Sequence, residues 1–152
     1  MAEGLLGGVS LNGKEGRMTG KFPEITTLAS ESSSEASYDN HPMAKVNDHV
    51  VRISVMTQPF HWHLHPNSDE TFLVIEGRLS IEFEDGTLEL APGQMVTVPR
   101  GVRHRTRPVG DRSVNLTFEA AKAETVAVCS PSGDGTIDFE RERTADALAL
   151  TL

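Results

Sequence analysis

The chain has 152 residues, with 14 Lys and Arg against 22 Asp and Glu, a formal net charge of −8. That length is one domain's worth, enough to hide roughly two thirds of the unfolded surface, with no room for separate catalytic and regulatory domains. The acidic balance offers no basic face for phosphates, so it argues against nucleic acid and polybasic membrane contacts and leaves a small molecule as the expected partner. Aromatic residues are 5% and charged residues 24%, which fits neither an acidic disordered chain nor a membrane protein. Cys129 is the single cysteine, so an intrachain disulfide and a Cys-based zinc finger are both excluded. No apolar run reaches membrane-spanning length. The start, Met1 to Leu6, lacks the basic and apolar regions of a signal peptide, and a cytoplasmic location is expected.

Residues 1–40 read as a flexible N-terminal arm. Glycines punctuate its first twenty positions and serines crowd 30–37, a composition too poor in apolar surface to offset the entropy of ordering. Phe22 to Leu28 is a candidate edge strand, and Met18 offers an alternative start or the end of a leader. From His49 the pattern becomes one of short strands: His49–Met56, Phe60–His65, Thr71–Ile75, Leu79–Phe83, Thr87–Leu90, Met95–Val98, Val102–Arg107 and Ser113–Phe118. Gly, Pro and Asp-Gly signals separate them, and no helix is expected between 49 and 118. This spacing means an all-β sandwich or barrel over 41–130. Residues 131–152 form a C-terminal extension; its end, Ile137 to Leu152, suits a short helix or an alternating strand equally.

The chemistry concentrates in Phe60-His61-Trp62-His63-Leu64-His65-Pro66-Asn67-Ser68-Asp69-Glu70. Residues two apart on a strand share a face, so His61, His63 and His65 point one way. Buried imidazoles need partners for both ring nitrogens, and a metal satisfies one nitrogen of each ligand at once. A hairpin would fold Glu70 back beside His63 and His65, and His104 follows the turn at Pro99-Arg100-Gly101. His63, His65, Glu70 and His104 are therefore the expected ligands of one divalent transition metal: Fe, Mn, Ni, Zn or Cu. His61 is left as a direct ligand, a donor behind the ligands, or a pocket wall. His41 and His49 read as ordinary surface or satisfied histidines.

These residues resemble the two motifs of the cupin superfamily. His63, His65, Glu70 and Gly77 match the spacing of the first motif, and Gly93, Pro99, Gly101 and His104 match the second. Pro108 stands where the family often has Asn, at a position that is not a ligand. The resemblance covers about residues 45–120. It implies a single-domain antiparallel β-barrel (a double-stranded β-helix or jelly roll) with one metal inside, commonly a homodimer. Small cupins of this look are often described as similar to mannose-6-phosphate isomerases.

Strand parity sketches the pocket: Phe72, Val74 and Thr106 share the ligand face, with His61 as wall and Met56, Phe60, Phe83, Val102 and Phe118 as further candidates. Arg103, Arg105 and Arg107 fall on the opposite face from His104, as an outer basic stripe or an oligomer contact. Arg52 is placed to meet an acidic partner or an anionic substrate. Three functions follow. One is a metal-dependent enzyme on a small organic molecule, of isomerase, cyclase, lyase or dioxygenase type. Another is a non-catalytic small-ligand-binding or metal-binding module. The last is a closed structural zinc site. Within the enzymes, His61 and a Glu70 released from the metal are the candidate catalytic bases. The cupin lyases that cleave dimethylsulfoniopropionate use a tyrosine where this chain has Phe72, and Tyr38, the single tyrosine, falls in the expected arm. A two-domain oxalate-decarboxylase-like protein is excluded by length.

Overall fold

The computed structural model describes residues 23–131. The glycine-rich start, Met18 and the tail from Ile137 to Leu152 lie outside the described residues. Within them are one helical turn, α1 (Leu28–Glu31), and eight strands: β1 (Tyr38–Val46), β2 (His49–Met56), β3 (His63–Leu64), β4 (Glu70–Phe83), β5 (Gly86–Leu90), β6 (Met95–Val98), β7 (His104–Ala120) and β8 (Val126–Ala127). All pairings are antiparallel. The strands run in the order β1-β2-β7-β3-β8, and β4 joins β5, β6 and β7, so one sheet curls back on itself. This is the expected all-β, double-stranded β-helix.

Two long strands replace four expected short ones. Glu76-Gly77 and Gly110-Asp111 read as turns in the sequence, yet β4 and β7 run through them. Both glycines have positive φ, and the β4–β7 register shifts between Val74 and Glu76 and between Gly77 and Leu79. Bulged glycines bend a strand without ending it, and the bend closes the sheet.

Strand faces alternate between two cores. Met56, Phe72, Val74, Leu79, Ile81, Leu90 and Val98 form the larger, on the face that also carries Glu70. Ile53, Val55 and Val114 form the smaller on the opposite face, packed by Leu28, Met43, Ile75 and Leu116. Phe118, expected in the pocket, is exposed, because its position on β7 turns it away from buried Thr117.

The expected strand at Phe22–Leu28 is corrected: residues 23–27 are exposed and belong to no strand, and Leu28 opens α1. The edge strand is instead β1, which begins inside the expected arm. Pro42 hides it from sequence reading, but an edge strand tolerates proline, and the β1–β2 register shifts just there. Leu28 packs on the smaller core, and Arg112 bonds the Ser32 carbonyl. His41 bridges Glu31 at 2.9 Å and Asp39 at 3.0 Å, tying α1 to β1.

That bridge is pH-sensitive. Partial burial lowers the His41 pKa, but bonds to Asp39 and Glu31 outweigh it, and the net shift is upward. Burial raises Asp39, and its bonds to His41 and Ser34 bring it below its ordinary value. A raised histidine stabilises below its unfolded pKa and loses that contribution as pH rises through its folded pKa. A lowered aspartate stabilises above its unfolded pKa and loses it as pH falls. The α1 contact is thus expected to be tightest between roughly pH 4 and pH 6.5. These side chains are about one third exposed, so screening keeps the effect below about 1 kcal/mol. Amide protection factors for residues 28–34 should fall between pH 6 and pH 8.5; equal protection would rule the bridge out as a tether.

Candidate metal centre

His63 on β3 lies directly across the ladder from His104, the first residue of β7. Glu70 is the first residue of β4. His65 follows β3, and the Gly101 N–H donates to its carbonyl at 2.8 Å, which seats the Pro99–Gly101 turn against it. Ligand atoms of His63, His65, Glu70 and His104 all lie within 4.8 Å of one another, and all four residues are buried. Glu70 Oε2 is 3.0 Å from His65 Nε2, 3.3 Å from His104 Nε2 and 4.0 Å from His63 Nε2.

The far side of each ring settles the chemistry. Nδ1 of His63 faces the His61 carbonyl at 2.9 Å, Nδ1 of His65 the Glu124 carbonyl at 2.9 Å, and Nδ1 of His104 the Val102 carbonyl at 3.0 Å. A carbonyl only accepts, so each Nδ1 carries the proton. In the neutral rings each Nε2 then presents a lone pair toward a carboxylate, acceptor against acceptor. A cation between them resolves the conflict, and histidines with Nδ1 held by a carbonyl are the usual form of metal ligands. The donor set can therefore hold a metal ion. Burial raises the Glu70 pKa, but the imidazoles of His104, His63 and His65, which donate to it whenever Nε2 is protonated, outweigh it and hold the carboxyl well below its ordinary value. Burial dominates at His63 and holds that imidazole down, toward the neutral form a metal needs.

His61 stays outside the cluster of donors. It sits as a wall, its ring 5.5 Å from that of His63 and 4.0 Å from Phe60. Its strand is shorter than expected, since only His63 and Leu64 pair. Phe72 reaches the centre with its ring 6.0 Å from His104, and Phe83 at 6.4 Å. Val74 belongs to the apolar core beneath, and Thr106 is buried two residues beyond His104, its carbonyl accepting from Phe60 N–H at 2.8 Å. The arginines do face away: Arg105 and Arg107 both donate to Glu82, and Arg103 pairs with Glu84. His49 pairs with Asp48 at the surface.

Two contributors were missed in the sequence. One is β8, which pairs with β3 and brings the Glu124 carbonyl to His65. The other is Tyr38, whose ring stacks on Phe60 at 4.8 Å, inside the fold rather than in a free arm. Tyr38-Asp39-Asn40-His41-Pro42 shows no apolar–polar alternation, so the sequence carried no strand signal for it.

Three histidines and one glutamate inside a curled double-stranded sheet make a cupin-type donor cluster that could hold a metal ion. The cupin domain family matches residues 50–118, and the chain belongs to the cupin superfamily. It is 42% identical over 109 residues to YdbB, an uncharacterized protein of Bacillus subtilis (strain 168), a match spanning 71% of this chain and 94% of that one. It is 39% identical over 56 residues to the polyketide synthase CurC of Streptomyces cyaneus, covering 37% of this chain and 36% of that one. Among solved structures, a cupin-2 domain protein of Shewanella frigidimarina shares 28% identity with a TM-score of 0.58, over 63% of this chain and 93% of that one. Among the described residues no helix is long and apolar enough to cross a membrane.

Proposed function

We propose that the chain is a metal-dependent enzyme that acts on a small organic molecule, in the isomerase, cyclase, lyase or dioxygenase range. The observation that carries this reading is the convergence of three Nε2 atoms and Glu70, with every Nδ1 anchored behind them. A bound divalent transition metal (Fe, Mn, Ni, Zn or Cu) would supply Lewis-acid or redox chemistry, with positions beyond the four protein donors for substrate. Phe60, Phe72 and Phe83 pack around the histidines and keep bulk water from the reacting group. His61 stands beside the centre as the candidate proton acceptor. The partial likeness to a polyketide synthase protein supports an oxygen-rich carbonyl compound as substrate. The exposed edge of β1 supports a homodimer, and the lone, exposed Cys129 a reducing cytoplasm.

The test is elemental analysis of protein purified without an affinity metal column, beside a His63→Ala control. About one equivalent of a transition metal is expected in the first and little in the second. A redox metal would direct the assay to oxygen consumption with hydroxylated carbonyl substrates, and zinc to isomerisation and cyclisation. Equal metal in both proteins, or none in either, would overturn the reading.

A further inference from the structure

The pairing of β1, β2 and β7 lines one side of the barrel with polar groups. Asn40 lies opposite Ser54, Ser54 opposite Asn115, and Arg52 opposite Thr117. On its other edge β7 sets Thr117 opposite Phe72 and Asn115 opposite Val74. Phe72 and Val74 share the face of Glu70, so this polar row runs alongside an apolar wall next to the metal centre.

Arg52 is a partly buried cation with no carboxylate in close contact among the described residues. Its Nε donates to Asn40 Oδ1 at 2.5 Å and its Nη2 to the Asn40 carbonyl at 3.3 Å. Its carboxylate neighbour, Glu119, stands off at 4.0 Å, and both side chains are largely buried. The bond to Oδ1 fixes the Asn40 amide, whose Nδ2 donates to the Tyr38 hydroxyl at 3.0 Å. The phenol oxygen is thus an acceptor toward Asn40; the Ser54 hydroxyl is its other polar neighbour, so its own proton turns either to Ser54 or to a ligand. Burial pushes the phenol up to about 12, so it keeps that proton. Its ring stacks on Phe60, which lies against His61 and His63. Across the ladder, Asn115 and Thr117 are 1% exposed, and Asn115 Oδ1 and Thr117 Oγ1 have no hydrogen-bond partner among the described residues. Buried acceptors left unmade are costly, and a ligand hydroxyl would satisfy one.

We propose that Arg52, Asn40, Tyr38, Asn115 and Thr117 form the substrate-recognition wall of the barrel, and that it takes a small hydroxylated carboxylic acid. This rests on the reading of the neighbouring centre as a substrate site. The guanidinium and the phenol O–H donate to the carboxylate, and the orphaned oxygens of Thr117 and Asn115 accept from the hydroxyl.

Glycolate is the probe, with acetate and ethylene glycol as analogues that each lack one of its two groups. Binding is measured by calorimetry on the full chain, with and without zinc, for wild type, Arg52→Lys and Tyr38→Phe. Lysine keeps the charge but loses the planar fork, and phenylalanine keeps the stack on Phe60 but loses the hydroxyl. Wild type should prefer glycolate to both analogues, and each variant should bind it roughly tenfold more weakly, with or without zinc. Zinc stoichiometry should stay unchanged in both variants. Glycolate bound equally by all three proteins, no better than acetate, or not at all would overturn the assignment. Loss of zinc uptake by wild type would instead sink the metal-centre reading, while titration of the zinc-free proteins still tests this wall.

Discussion

Replacing His104 with alanine is expected to abolish stoichiometric metal uptake and the thermal stabilisation that accompanies it. His104 is fully buried, faces His63 across the ladder, and is held by the Val102 carbonyl, so its Nε2 is fixed toward Glu70. Removing the groups behind a metal ligand usually costs 10- to 100-fold in affinity, so losing a ligand itself should cost roughly a hundredfold or more. Metal at about 100 times its dissociation constant stabilises a folded chain by about 2.7 kcal/mol. For a domain of this size that is on the order of 8 °C in Tm. Thermal melts with and without added metal should therefore separate by about that much in wild type and coincide in His104→Ala. The metal-free variant should also melt below metal-free wild type, because removing the fully buried imidazole leaves a cavity beside Glu70. A variant that still shifts with metal as wild type does would remove His104 from the ligand set.

The largest purely structural effect is expected at Gly77. Its φ is +70°, and a Cβ placed there would lie 2.2 Å from the Arg112 carbonyl oxygen on β7, backbone against backbone. No side-chain rotation relieves that contact. Gly77→Ala must open the β4–β7 pairing at the bulge, at a cost of about 3 kcal/mol or more. Gly93 is the internal control: its φ is +82°, but nothing lies within 4 Å of an added Cβ. Gly93→Ala should cost only the left-handed penalty, about 1–2 kcal/mol. Chemical denaturation of the two variants should show the larger loss at Gly77; equal losses would mean that β7 shifts freely and the bulge is not a fixed hinge.

The four donor residues were legible in the sequence because their chemistry is local. His63 and His65 lie two residues apart at the end of one short strand, and Pro99 and Gly101 shape the turn seated against His65. Strand identity was also legible from alternation, as at Leu79–Phe83. Strand length was not, because Gly77 and Gly110 carry the same signal whether a strand stops or bends. Only the pairing partner decides, and that lies thirty or more residues away. Tyr38 and Glu124 failed for the same reason. Glu124 acts through its carbonyl, which no side-chain pattern encodes, and Tyr38 enters the barrel because β1 pairs with β2, which Pro42 argues against.

The Glu124 carbonyl and the Tyr38 ring both lie outside residues 50–118, the stretch shared with the cupin domain family. The stretch matched by the family and the complete site are therefore not the same piece of chain. One flank sets how firmly His65 is aimed into the donor cluster. The other sets what stands beside that cluster, through the ring on Phe60. A lineage can rework either flank by insertion or exchange without disturbing a donor atom, so reactivity and selectivity can drift independently. Grafting residues 23–47 of this chain onto a related barrel is, on that view, a way to move ligand preference while leaving metal choice behind.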